Sequence, residues 1–240
     1  MYLKINLLIF TVFFHFQIVD PLLTDSEKQS MLNIHNQNRS MVNPTATNMI
    51  KLQWNQTLEA LAENWSSLCV FQHPAEDNAA YSSYGQNLYL ATRPKSITPY
   101  DVDLAVLAWI KESQGFVYPS SCTGTCGHAT QILWATTSSI GCGRATCNAT
   151  DPNNENILIT CQYWLRGNIL GQTLYQSGVS CSNCPTPYPD CENKLCTKSI
   201  ASGTISIISG TTPRNYTPKH VFHKFLNLLL FWIAILSRQP

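Results

Sequence analysis

The string Gly127-His128-Ala129-Thr130-Gln131-Ile132-Leu133-Trp134 says more about the fold than any other stretch of this 240-residue chain. Its second half, Thr130–Trp134, is a short run compatible with a strand, and Ser139–Thr146 reads the same way. Downstream the pattern sharpens. Ile157, Ile159, Cys161 and Tyr163 alternate with Leu158, Thr160 and Gln162, the two-residue period of a strand, and Asp151–Asn156 (DPNNEN) is a turn-rich connection leading into it. Upstream the period becomes helical. Thr24 and Glu27 have capping-box spacing, with Met31, Ile34 and His35 following on one stripe. Trp54, Leu58, Leu61, Ala62, Trp65, Leu68 and Cys69 keep a 3.6-residue period over about four turns. A third helix is expected to start near Asp101, just after Pro99, turning Leu104, Val106, Leu107 and Ile110 toward the core. Helices first and antiparallel strands afterwards predict an α+β layered domain.

Composition narrows the function classes. Apolar residues are 44% of the chain and charged residues 12%, with a net charge of +1, so a core is well supplied. No basic surplus points to nucleic acid or to an anionic membrane surface. The ten cysteines are an even number without zinc-finger spacing. Sequons at Asn38, Asn55, Asn64, Asn148 and Asn215 join them in indicating the secretory pathway. Residues 1–20 read as a signal peptide, with Lys4 ahead of an apolar run from Leu7 to Phe14. The far apolar run, Phe225–Leu236, is too short at ~1.5 Å per residue to cross a hydrocarbon core of ~30 Å. It follows the small residues Ser209, Gly210 and Thr211 and a polar spacer, so residues 212–240 read as a GPI-attachment signal. Ser202–Gly203 is a second attachment point, and an uncleaved hydrophobic tail is the alternative. The expected location is extracellular, either secreted or GPI-anchored at the cell surface. Before the tail, Cys181, Cys184, Cys191 and Cys196 lie within a 178–197 segment too small for a core of its own, which calls for two local disulfides. Residues 198–211, rich in Ser, Thr, Gly and Ile, read as a stalk.

Four strings together carry a family resemblance. His35-Asn36-Gln37-Asn38-Arg39 is similar to HNxxR, Gly85-Gln86-Asn87-Leu88 to GEN[ILV], and Gly127–Trp134 to GHxTQxxW. Cys161–Asn168 (CQYWLRGN) resembles CxYxPxGN, with Leu165 where Pro is usual. In this order they are identified with the CAP superfamily of cysteine-rich secretory and pathogenesis-related proteins. The resemblance implies an α-β-α layered sandwich over residues 21–172, followed by the small disulfide-rich hinge. With a stalk and anchor signal, but without a channel-regulating cysteine-rich module, the layout resembles peptidase inhibitor 16-like proteins with a shorter stalk.

The resemblance also implies the cysteine pairs: Cys69 with Cys147, Cys142 with Cys161, Cys122 with Cys126, Cys181 with Cys191 and Cys184 with Cys196. A further bridge found in some relatives would fall at Tyr84 and Trp164, so both of its partners are missing together and no odd thiol remains. Each bridge is worth about 2–4 kcal/mol. Two His and two acidic residues line a central cleft in relatives, and they fall here at His73, Gln86, Glu112 and His128. Neutral imidazoles there would bind zinc or another divalent cation, with a carboxylate completing or orienting the set. Gln86 departs from the pattern by removing one negative charge and one general base. The alternative is a hydrogen-bonded network of His73, Glu112 and His128 that ties loops to the core. His35, Arg39, Asn36 and Gln131 are expected to be structural.

Three functions compete. One is a non-enzymatic extracellular binding module for a protein, sterol or other lipid, with loops 74–85 and 89–100 as contact surfaces. The second is a metal-dependent hydrolase or protease using His73 and His128, which lacks HExxH, a nucleophile motif and a carboxylate at position 86. The third is a protease inhibitor or channel modulator acting through the hinge. The binding module fits best.

Overall fold

The computed structural model describes residues 23–97 and 100–199. The segments read above as a signal peptide, as most of a stalk and as an anchor signal, together with the Asn215 sequon, lie outside the described residues. Helix α1 spans Asp25–Ser40, and its start is fixed by the capping box: Thr24 Oγ1 accepts from Glu27 N–H while the Glu27 carboxylate accepts from Thr24 N–H. Strand β1, Gln53–Trp54, is followed by helix α2, Gln56–Ser67, whose N-cap Asn55 accepts from the N–H groups of Thr57 and Leu58. Strand β2 is Gly85–Pro94 and helix α3 Asp103–Lys111. A 3-10 turn at Glu112–Gly115 leads into the short pair β3 (Phe116–Val117) and β4 (Ser121–Cys122), then helix α4, Gly127–Ile132. The long strands β5 (Ser139–Asn148) and β6 (Asn154–Trp164) follow, and β7 (Asp190–Glu192) pairs with β8 (Leu195–Thr197) in the hinge.

The main sheet has the order β1-β5-β6-β2, antiparallel except for the short parallel β1–β5 pairing. Both faces are covered. Ile157, Ile159, Cys161 and Tyr163 on β6 meet Met31 of α1 and Ala105, Val106 and Trp109 of α3. On the other face α2 lies so close to β5 that a Cβ on Gly141 would sit 2.1 Å from Glu59 N. Ser66 Oγ bonds Thr160 there at 2.9 Å. The alternation of β6 thus divides its residues between two buried layers, giving the α-β-α sandwich.

Three local expectations are corrected. Thr130–Trp134 is not a strand: Gly127–Ile132 form α4, because a short apolar run has no decisive period and its context chose helix. Helix α3 begins at Asp103, near the expected start, with Asp101 accepting from Asp103 N–H just outside it, but its inward face is rotated from the expected one. Leu104 and Leu107 are 45% and 50% exposed, while Ala105, Val106 and Trp109 are buried. Trp109 decides this phase, since its indole N–H reaches Leu88 O at 3.0 Å and its ring fills the interior. On α2, regular helix ends at Ser67, so Leu68 is exposed and Cys69 leaves in a left-handed conformation.

Five disulfides link Cys69–Cys147, Cys122–Cys126, Cys142–Cys161, Cys181–Cys191 and Cys184–Cys196, and none of the cysteines is free. At the sheet edge Tyr84 and Trp164 face each other with ring centroids 5.7 Å apart, an aromatic contact at the two positions singled out above as lacking cysteines. The hinge packs onto the body. Leu195 and Cys196 are buried with Met49, Trp134 and Tyr175 nearby, and Cys196 N–H bonds Met49 O.

Candidate functional site

The site begins with α1, whose polar residues hold the interior in register. His35 bonds Met31 O through Nδ1 (2.7 Å) and the Tyr163 hydroxyl through Nε2 (3.0 Å), fully buried. Burial lowers its pKa to about 4, so the ring is neutral. Asn36 makes a reciprocal pair with the backbone of Leu52. Arg39 is 1% exposed and donates to the carbonyls of Ile50, Ile132, Trp134, Ala135 and Thr137. It therefore clamps the exit of α4, while Gln131 accepts from Gly167 N–H and donates to Thr137 Oγ1.

On this frame α4 presents His128 and the 3-10 turn presents Glu112. The His128 ring donates Nδ1–H to Glu112 Oε1 at 2.7 Å, and its backbone N–H donates to Glu112 Oε2 at 3.0 Å. Asn87 steadies the same residue from β2 by donating to His128 O and to the Tyr163 hydroxyl, and Trp109 stacks on the His128 ring with centroids 6.0 Å apart. His73 comes from the segment after α2 and donates Nδ1–H to Gln86 Oε1 at 2.9 Å. The two imidazoles stand 6.5 Å apart, centroid to centroid. The structure thus brings His73, Gln86, Glu112 and His128 into one neighbourhood as two pairs. The recess beside them is lined by His73, Gln86, Tyr84 and Arg166, and not by His128 or Glu112.

This arrangement can be tested against a divalent cation. Both imidazoles engage an oxygen through Nδ1, which leaves Nε2, the metal-competent nitrogen, without a protein hydrogen bond. A zinc ion held at ~2.0–2.1 Å by two such nitrogens in tetrahedral geometry brings ring centroids to about 5 Å, so the rings must close by about 1.5 Å. Among the described residues no third His, Cys, Asp or Glu ligand atom converges with them. The donor set fits a weak, two-imidazole site completed by water, not a closed structural one.

Sequence reasoning missed Asn87, Tyr163 and Trp109 as members of this site. Asn87 stands in the same Gly85–Leu88 string as Gln86, and Trp109 three residues before Glu112; their adjacency was the available signal. Of the sequons, Asn64 and Asn148 are exposed, Asn55 is the cap of α2, and Asn38 is half-buried with Nδ2 donating to Ile34 O.

Comparison with known proteins places this geometry. Residues 32–163 match the family described as CAP: Cysteine-rich secretory protein family. The chain belongs to the CAP family. It is similar to mouse peptidase inhibitor 16, 37% identical over 179 residues that cover 72% of this chain and 34% of the relative. It is likewise similar to human cysteine-rich secretory protein 2, 35% identical over 180 residues, covering 72% of this chain and 69% of that one. The chain spans about a third of the length of peptidase inhibitor 16. Among solved CAP structures, that of NaASP2 with Zn2+ superposes with a TM-score of 0.60 at 25% identity, covering 75% of this chain and 99% of that one. Hookworm Platelet Inhibitor shares the fold at 20% identity and a TM-score of 0.57, covering 73% of this chain and 92% of that one. No helix among the described residues is long and apolar enough to cross a membrane.

Proposed function

We propose that this CAP protein is a secreted or cell-surface, non-enzymatic binding protein whose central cleft holds a divalent cation weakly through His73 and His128. The observation that carries it is the pairing of each imidazole's Nδ1 with an oxygen, Gln86 Oε1 at 2.9 Å and Glu112 Oε1 at 2.7 Å. This leaves both Nε2 lone pairs free to act as ligands, and the crystal structure of the similar NaASP2 with Zn2+ is consistent with such a use. A bound cation would supply a fixed positive charge for an anionic or carbonyl group of a ligand. The chain's own residues orient the imidazoles and bound the recess.

The same geometry argues against hydrolysis. Both Glu112 oxygens are engaged by His128, and Gln86 is no base. Every cysteine is in a disulfide, and Thr130 Oγ1 is held by Cys126 O, Gly127 O and Asn168 Oδ1, so neither a thiol nor Thr130 offers an activated nucleophile beside the imidazoles. The protein, sterol or lipid ligand would be met by the loops around the recess. Titration calorimetry with zinc tests the reading on the secreted protein. Wild type should bind with a Kd in the micromolar range, His73→Ala should lose at least tenfold, and Gln86→Glu should gain several-fold by restoring a charge behind the ring. Zinc uptake that is indifferent to His73→Ala would remove the cleft from the account.

A further inference from the structure

The sheet face covered by α2 carries two amides without protein partners at their inner ends. Gln86 on β2 and Gln162 on β6 are directly opposed in the antiparallel ladder, so their side chains leave the same face with Cβ atoms about 4.5–5.5 Å apart. Gln162 is 0% exposed, and neither its Nε2 nor its Oε1 has a hydrogen-bond partner in the protein. Gln86 uses Oε1 on His73, and its Nε2 is also buried and unpartnered. On the far side of Gln162 the ladder places Gly141, which brings no competing side chain. Buried amide groups without partners are rare and costly, and the ladder sets these two beside each other.

We propose that Gln162 is a positioning residue for the cleft: its amide receives the inner end of the Gln86 amide through one bridging water, and so sets which nitrogen of His73 faces outward. The inference rests on the two-imidazole reading of the cleft but concerns the metal-free protein. A glutamate at position 86 would accept from His73 with either oxygen. A glutamine has two unlike ends. With Oε1 toward the ring, His73 carries its proton on Nδ1 and offers Nε2 as a ligand. With the amide turned over, Nε2–H of Gln86 donates to His73 Nδ1, the ring proton moves to its Nε2, and the ligand is lost. Gln162 removes the penalty of burying the Gln86 N–H at the inner end. Without it, the inner end is better occupied by the carbonyl oxygen, because an orphaned buried N–H is the less tolerated of the two. Losing the Gln162 amide should therefore turn Gln86 over.

The test is nitrogen-15 NMR of the metal-free secreted protein labelled in histidine, at a pH above the usual imidazole range, with His73 assigned from His73→Ala. Wild type is expected to hold His73 mainly as the Nδ1–H tautomer. Gln162→Met, of similar size, should shift the tautomer ratio at least threefold toward Nε2–H. Gln162→Asn, which shortens the reach, should shift it the same way and serves if the methionine variant is not secreted. Adding Gln86→Glu to Gln162→Met should restore Nδ1–H, because a carboxylate needs no inner partner to present an oxygen. An unchanged ratio in the folded single variant overturns the proposal, as does a double variant that stays in the Nε2–H form, since Gln162 would then act through packing alone. The readout needs no metal. A wild type that ignores zinc counts against the cation reading, whereas this inference stands or falls on the ratio.

Discussion

Arg39 lies inside the protein with its charge met by five backbone carbonyls, those of Ile50, Ile132, Trp134, Ala135 and Thr137. Burial pulls its pKa down to about 9, still well above neutrality, so these are charge-assisted bonds at pH 7. Arg39→Met should cost at least about 3 kcal/mol in denaturant unfolding, because several buried carbonyls lose their donor at once. Arg39→Lys should recover little, since a point ammonium cannot replace the guanidinium fork. His35 supplies a pH dependence. Its folded pKa of about 4 lies below the usual 6.5, so between these values the unfolded chain binds the extra proton. Stability should rise with pH through that window by about 3 kcal/mol and be lost as pH falls from about 6.5 to 4, and His35→Gln should flatten that part of the curve. Both residues were legible as structural members of an i, i+4 pair. What they hold was not, because the carbonyls that Arg39 reaches lie 11 to 98 positions away in sequence.

At the scale of elements, the contact between α2 and β5 is set by glycine. A Cβ on Gly143 would stand 2.4 Å from Glu63 N and 2.5 Å from Glu63 Cα, where only backbone could yield. Gly143→Ala should cost about 1–3 kcal/mol by forcing the helix off the sheet. Gly127→Ala, at the first residue of α4 with open space around its Cβ position, should be neutral or stabilising by up to about 1 kcal/mol. Thermal melts of the two variants check the contrast. The capping box and the strand β6 were readable because each is a local pattern. The phase of α3 was not, since counting leucines turns Leu104 and Leu107 inward, whereas the ring of Trp109 and its bond to Leu88 O govern the rotation. Thr130–Trp134 misled for the same reason: the helix there is held by Arg39 donating to Ile132 O at its end and by its own Gln131 accepting from Gly167 N–H, not by its own period.

Across the whole molecule, the hinge behaves as part of the body. Lys51 N–H bonds Cys196 O, Cys196 N–H bonds Met49 O, and Leu195 closes the cluster around Met49 and Tyr175. Deleting residues 178–197 should therefore lower the melting temperature by several degrees as well as remove the hinge surface. The four family strings made the sandwich legible, since they fix chain order across about 130 residues, whereas His73 and Glu112 lie outside them and were placed only by the resemblance to relatives. The division of the cleft into a His73–Gln86 pair and a His128–Glu112 pair needed distances. So did the unpartnered amide of Gln162, which has no signature beyond its place in an alternating strand. The most direct test of the two-imidazole cleft is a zinc-edge anomalous difference map from crystals of the zinc-soaked protein. A peak at about 2.0–2.1 Å from Nε2 of both His73 and His128, completed by water or a ligand group, is the predicted result. Zinc bound through Glu112 or Gln86 instead, or no peak at the cleft while the imidazoles remain in place, would contradict it.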